Sequence, residues 1–367
     1  MRSTSALKIG ALACASLLTA AVPNAVNTTV VASVGPAMQS IGTLAFGPNG
    51  VLYAADPQAA TIYAIELGSE ASKGTPGTKD VGAIDQQIAS LLGTDTTQIT
   101  LTDLIVDPKT HNSYLAVMRG KGADAKPALL RVDGAGKVTP VAMESLKFTS
   151  VALPNAPEAN PASGRSQRAQ SVTDMAYQNG KLYVAGLSSE EFSSKLWAVP
   201  FPFQGADRGT SVEIFHGNHG GLETRSPVYS FIPFNIGTEA NLIGAYLCTP
   251  LVKFPVASLA PGAKVRGTTI AELGAGNRPI DMILYSKDGK QFLLMANTSR
   301  GVMKIPTATF GSETPITAKV PTGTAGVSYE TIASMTGIVQ LDLLDATHSI
   351  VLARTATGTN LQSVVLP

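Results

Sequence analysis

The residues best able to do chemistry lie between positions 215 and 225. The run Phe215-His216-Gly217-Asn218-His219-Gly220-Gly221-Leu222-Glu223-Thr224-Arg225 holds two histidines three apart and a carboxylate four residues further on. Two imidazoles and a carboxylate can converge on zinc, copper, iron or manganese if the glycines let the backbone fold back. The segment also reads as a glycine-rich turn whose histidines bond backbone carbonyls, because it lacks the helical setting that makes HExxH specific. Cys248, at the end of an apolar run and before Thr249-Pro250, is the one cysteine after position 14. Near His216 or His219 its thiolate would be a soft metal ligand or a nucleophile; elsewhere it is a small buried hydrophobe. A divalent or transition metal ion is therefore the cofactor these residues suggest.

A second set recurs. Thr102-Asp103, Thr173-Asp174 and Ile280-Asp281 each put an acid at the start of a similar apolar segment. Such acids could hold a divalent cation through oxygen, or each could accept backbone N–H bonds and brace its neighbour. Recurrence suits bracing, since a catalytic residue need not repeat. Arg119, Arg225, Arg278, Arg300 and Asn297 lie in intervening segments and are candidates for ligand contact. An arginine there could read a carboxylate or phosphate, or simply pair with the acids.

What must position these residues is a repeat. Six times an apolar strand of about five residues, a polar turn and a second apolar strand succeed one another. The clearest copies begin at Ile41, Leu101, Ser171 and Arg278; looser ones begin at Ser226 and Thr336. They start roughly 50 to 70 residues apart, the interval of a four-stranded sheet repeating around an axis. The expected architecture is all-β, a six-bladed β-propeller. In the fifth repeat the four strands read as 279–284, 291–297, 301–305 and 316–320. The last repeat has only three strands, and residues 28 to 34 (TTVVASV) form an orphan strand near the start. The expectation is that this N-terminal strand closes the last blade, removing an exposed edge.

Strand polarity sorts the loops. One face carries the entries to the inner strands and the second-to-third connections; the other carries the hairpin turns, which are short. The entry face should hold the insertions 68–101 and 143–170 as well as the histidine segment. It should also bring His216, His219, Glu223, Cys248, Arg278 and Arg300 together at one end of the channel. Ile84, Ile88, Leu91 and Leu92 recur at helical spacing before Gly93, so one short helix is expected over 83–92, between blades 1 and 2.

The ends and the composition bound the rest. Arg2 and Lys8 flank an apolar run followed by small residues through Ala25, which reads as a signal peptide over 1–25. Residues 26–367 then form a single propeller domain, exported to the periplasm or secreted. Cys14 only partly fits a lipobox and is removed with the leader. With one cysteine left, no internal disulfide is expected. Net charge is +1 and charged residues are 14% of 367, with no basic stripe for nucleic acid. No further run reaches the length of a membrane span. The expected partner is a protein or a small molecule, and the expected state a monomer. There is no CxxCH, no GxSxG and no P-loop, and the single Trp197 excludes periodic tryptophan docking.

Strands of the form DMAYQNGKLYVA, six repeats and no disulfides resemble the NHL, SMP-30 and TolB-like group of propellers. The resemblance implies fold alone. The metal-ligand pattern of the SMP-30-like lactonases is not found, so their activity is not implied. Two functions stay open: a propeller binding a ligand or protein on its loop-rich face, and a metal-assisted hydrolase or oxidoreductase using His216, His219 and Glu223.

Overall fold

A computed structural model describes Met1, the backbone of Val30 and Val31, and residues 35–321 and 323–367. The expected signal peptide and most of the 28–34 segment lie outside the described residues. Six sheets form the blades, antiparallel except where Lys264–Arg266 joins the third in parallel. Their inner strands are Leu44–Phe46, Ile99–Val106, Asp174–Gln178, Ser230–Ile236, Pro279–Lys287 and Ile338–Leu343, numbered here as blades 1 to 6 in chain order. The hairpin turns form where the sequence supplies residues tolerant of positive φ. Asn179-Gly180 and Asp288-Gly289 adopt φ of 50° and 80°, and of 51° and 71°, the pairing that matches strand twist in two-residue hairpins.

Each blade is apolar on both faces and buries them only against its neighbours. Six buried clusters result, one at each blade junction. Tyr53 and Ile62 of blade 1 pack with Val184 and Trp197 of blade 3. Leu115 of blade 2 packs with Leu352 of blade 6, and Leu129 of blade 2 with Leu52 of blade 1. The remaining clusters join blades 3 and 4, 4 and 5, and 5 and 6. The circuit is therefore 1–3–4–5–6–2 and back to 1. Blades 1 and 2 are exchanged relative to chain order, which the repeat pattern does not reveal.

The exchange dictates two long crossings. From Glu66 the chain runs beneath blade 2 on the hairpin-turn face. Asn112 Nδ2 donates there to the carbonyls of Ala71 and Lys73 at 3.0 and 2.9 Å, and Lys79 Nζ to that of His111 at 2.6 Å. Lys79 is buried, and desolvation lowers its pKa to about 8. Asp80–Val81 then pairs with Gly358–Val365 as the outer strand of blade 6. Helix α1, Ile84–Leu91, follows, sinking Ile84, Ile88 and Ala89 into the core shared by blades 2 and 6. After blade 2 the chain returns to blade 1, where Lys147–Ala152 pairs with Thr61–Glu66. Residues 153–170 then cross on the entry face to blade 3. The crossings use opposite faces and so do not collide.

Four expectations are corrected. The last blade is closed by Asp80–Val81, whereas Val30–Val31 pairs with Phe148 and Thr149 on the outer edge of blade 1. The first half of the 68–101 insertion lies on the hairpin-turn face, because the chain must pass under blade 2. The 143–170 segment is not all loop, since it contains the fourth strand of blade 1. Blade 5 takes its outer strand from Glu330–Thr331 and not from 316–320, which runs beside blades 3 and 4 through Val320 N to Gly217 O at 2.9 Å. Helix, hairpins and blade number are as expected.

Strand 147–152 gives a direct check. Val151 is 1% exposed in the core between blades 1 and 3. Val151→Ala should lower stability in urea unfolding by about 1–2 kcal/mol, whereas a surface-loop valine would cost under about 0.5.

Candidate metal centre and channel mouth

Inner strands line the channel. Asp103, Asp174 and Asp281 face Ala116, Ala185 and Ala296 in register, so they are equivalent. Each carboxylate accepts an amide from the next blade of the circuit: Leu44 N to Asp103 at 2.6 Å, Phe231 N to Asp174 at 2.7 Å, Leu341 N to Asp281 at 3.3 Å. Asp174 and Asp281 also cap the amide that follows them, at 2.7 and 2.9 Å. These are the braces that recurrence suggested. Asp342, which sequence reasoning missed, does the same for blade 6, accepting Val106 N at 2.6 Å and Leu343 N at 2.7 Å. Its signal was obscured because Gln340 occupies the equivalent position, after a bulge, and Nε2 donates to Thr102 O at 3.2 Å.

Enclosure in the channel makes ionisation costly. Burial pushes Asp174 up to about 6 and Asp342 to about 7. Asp103 and Asp281 are raised well above the carboxylate range, by desolvation first and mutual repulsion with the other channel acids second.

The entry end of the channel opens into a cavity of about 1610 Å³. Tyr229, Arg278, Asn297, Gln340 and Arg354 line it with three of the four acids. Arg278 lies over Tyr229, 5.5 Å from the ring centroid. Asn297 is spent on its own loop, donating to the carbonyls of Met295 and Gly301 at 3.2 and 3.4 Å. Arg300 donates to Ala275 O at 3.1 Å on the neighbouring loop, and Arg119 to Gly93 O at 3.4 Å. Arg119, Arg225 and Arg300 do not line this cavity.

The second locus lies off the axis, where blades 3 and 4 meet. Thr210–His216, the fourth strand of blade 3, turns at 217–220 into Gly221–Glu223. The turn needs its glycines. A Cβ on Gly217 would stand 2.8 Å from Val320 Cγ2 and 3.0 Å from Glu272 Cγ, and Gly220 has φ +72°. Buried Glu272 clamps the turn by accepting Gly217 N and, at 2.7 Å, Asn218 Nδ2. Burial raises its pKa, against the pull of His216.

That fold brings His216 and His219 together, their rings tilted by 32° with centroids 3.9 Å apart. Cys248 arrives from blade 4, and one ligand atom from each of the three lies within 4.8 Å of the other two. His216 is 1% exposed; His219 is exposed and Cys248 half-buried. Glu223 is not in this ligand group. It meets His216 Nδ1 at 2.6 Å, so it stands behind that imidazole and not among the three converging residues with which it was expected. His216 Nε2, on the other side of the ring, is buried and has no protein partner. Cys248 and Thr249 hold φ of 62° and 56°, a left-handed pair that is strained for non-glycine residues, most of all a β-branched one. The surroundings enforce it: Cys248 N donates to Asn277 O at 2.7 Å and Thr249 Oγ1 to Gly274 O at 3.2 Å. Of the six residues expected together, His216, His219 and Cys248 converge with Glu223 behind them. Arg278 and Arg300 sit on or against the 274–278 loop that abuts Cys248.

No family model matches the chain, and no curated protein matches it. Among solved structures it is similar to an aldose sugar dehydrogenase from Streptomyces coelicolor in PQQ-bound form, at 12% identity over 94% of this chain and 99% of that one (TM-score 0.29). It is similar also to the soluble aldose sugar dehydrogenase of Escherichia coli in its apo form, at 13% over 93% and 99% (0.35). The extracellular region of plexin A4 aligns at 10% over 93% of this chain and 47% of that one (0.36). Such TM-scores assign no activity to this chain, and nothing singles out the NHL, SMP-30 or TolB-like group.

The channel acids yield a pH test. Unfolded aspartates titrate near 3.9, so the folded protein retains protons that the unfolded chain has released. The stabilisation this gives is complete below about pH 4 and is lost as pH rises through about 6 and 7. Asp342→Asn, whose side chain does not ionise, should flatten the fall in melting temperature across that window relative to the parent. An unchanged slope would contradict the assignment.

Proposed function

We propose that this propeller is a metalloprotein. Its transition-metal centre would be held by His216, His219 and Cys248, and it would serve metal-assisted hydrolysis or oxidation. The observation that carries this reading is His216 Nε2, a buried nitrogen without a protein partner. It belongs to a ring fixed by Glu223 at 2.6 Å, beside a second imidazole and a thiol. An unpartnered buried polar atom costs about 1–3 kcal/mol, and a metal ion would remove that cost. A carboxylate on the far nitrogen fixes the tautomer and strengthens the imidazole as a ligand. Two imidazoles and a thiolate suit zinc or copper, and three protein ligands leave a position for water or substrate. Zinc would act as a Lewis acid on that water, copper in electron transfer. The N-terminal segment supports an exported protein, periplasmic or secreted. Among the described residues no helix is long and apolar enough to cross a membrane.

One observation favours a second reading. Glu223, His216 and Cys248 also present a carboxylate, an imidazole and a thiol in the order of an orienting acid, a base and a nucleophile.

Metal analysis separates the two. The purified full chain should take up one equivalent of Zn²⁺ or Cu²⁺, with a thiolate charge-transfer band in the Cu²⁺ form that Cys248→Ser abolishes. Glu223→Gln should weaken metal binding by about 10–100-fold. His219→Ala should release the metal while metal-free stability stays within about 0.5 kcal/mol, because the ring is exposed. Buried His216 carries a folding cost as well. No uptake of either metal, together with selective alkylation of Cys248 that His216→Ala slows, would favour the thiol nucleophile.

A further inference from the structure

The channel mouth holds a charge pattern that the metal centre does not use. Lys126, Arg278 and Arg354 line the cavity with exposed side chains. Among the described residues none of them forms an ion pair. The carboxylates lining the same cavity are Asp103, Asp174 and Asp281. Their oxygens are turned to backbone amides of their own and the next blade. Enclosure also favours their neutral form. The cations at the mouth therefore have no counter-ion supplied by the walls.

We infer that the channel mouth binds a small molecule through an oxyanion group, a carboxylate or a phosphate, gripped by Arg278 and Arg354. A guanidinium presents two parallel N–H donors that fit either group. Tyr229 supports Arg278 from one side, limiting its freedom before a ligand arrives. Lys126 adds charge without a fixed direction. The cavity, about 1610 Å³, accommodates the rest of such a ligand, and Gln340, whose buried Oε1 has no protein partner, lines it. This site does not depend on the metal, yet it adjoins it. Asn277 O receives the Cys248 amide, and the next residue, Arg278, faces the cavity.

The test is isothermal titration of the full chain with inorganic phosphate and, separately, with succinate, at constant ionic strength. It is run on the protein as purified and again after dialysis against a chelator. Saturable binding of at least one anion in both preparations is expected, and the anion that binds more tightly identifies the group. Arg278→Ala and Arg354→Ala should each weaken it by about tenfold or more, the value of a charge-assisted hydrogen bond. Arg278→Lys should recover only part of the loss, because charge returns without the fork. Arg119→Ala, a cation outside the cavity, should change nothing. No saturable binding of either anion, or an equal loss in Arg119→Ala, overturns the inference. Binding that appears only before chelation would mean that the anion sits on a metal, which overturns this site and leaves the metal centre standing.

Discussion

Closure of the ring rests on one contact made repeatedly: a channel aspartate accepting the amide of the next inner strand. The contact couples two requirements. Inner strands converge on the axis, where their side chains are short of space and their backbones have unpaired groups facing a neighbouring sheet. A carboxylate spanning that gap satisfies a donor and fixes the stagger between blades together. Three identical aspartates and the displaced Asp342 link four of the six junctions. Thr43 and Ser230 hold the matching places in blades 1 and 4, near enough to Asp174 to hydrogen-bond it. The acids gain this role at an electrostatic cost, since four carboxyl groups around one channel cannot all ionise freely. Bracing and proton retention are therefore one property of the ring.

The exchanged order of blades 1 and 2 shows how a propeller can tolerate an irregular path. Each blade asks only that apolar faces meet on both sides, and any of the six faces is chemically acceptable to any other. What the exchange requires is reach: one crossing beneath blade 2 that ends in Asp80–Val81 on blade 6, and one over the entry face from Lys147–Ala152 on blade 1 to blade 3. Asp80–Val81 and Lys147–Ala152 thus fasten blade 6 to the connection after blade 1, and blade 1 to the connection after blade 2. The last blade is completed from inside the chain, by Asp80–Val81.

This explains what was legible in the sequence and what was not. Hairpins were legible because Asn-Gly and Asp-Gly demand a particular backbone, and α1 because Ile84 and Ile88 mark a face. Circuit order was not, because six similar repeats carry no information about which one stands beside which. The closing strands were missed for a related reason. Two residues at Asp80–Val81 or Glu330–Thr331 have no period to detect, and in 147–152 Val151 is the one fully buried side chain. The role of Asp342 was hidden by a two-residue displacement within an otherwise regular strand.

The His216, His219 and Cys248 cluster was legible for the same physical reason that the closure was not. Its residues come from the fourth strand of blade 3, the turn that follows it and a loop of blade 4, blades that keep their chain order, so strand polarity alone brings His216 and Cys248 to one face and one junction. Polarity cannot say which polar groups in such a cluster touch one another, and the assignment of Glu223 needed coordinates. With the carboxylate behind His216 and the thiol before it, rigidity becomes the last requirement. Glu272 holds the histidine turn from within the sheet, and the 274–278 loop holds Cys248 and Thr249 in a backbone conformation they would not choose. That strain is maintained from blade 5's side of the entry face, where Arg278 leaves the same loop for the channel mouth. A ligand gripped there would load the segment that sets the position of the thiol, so off-axis centre and axial cavity are mechanically joined through Asn277.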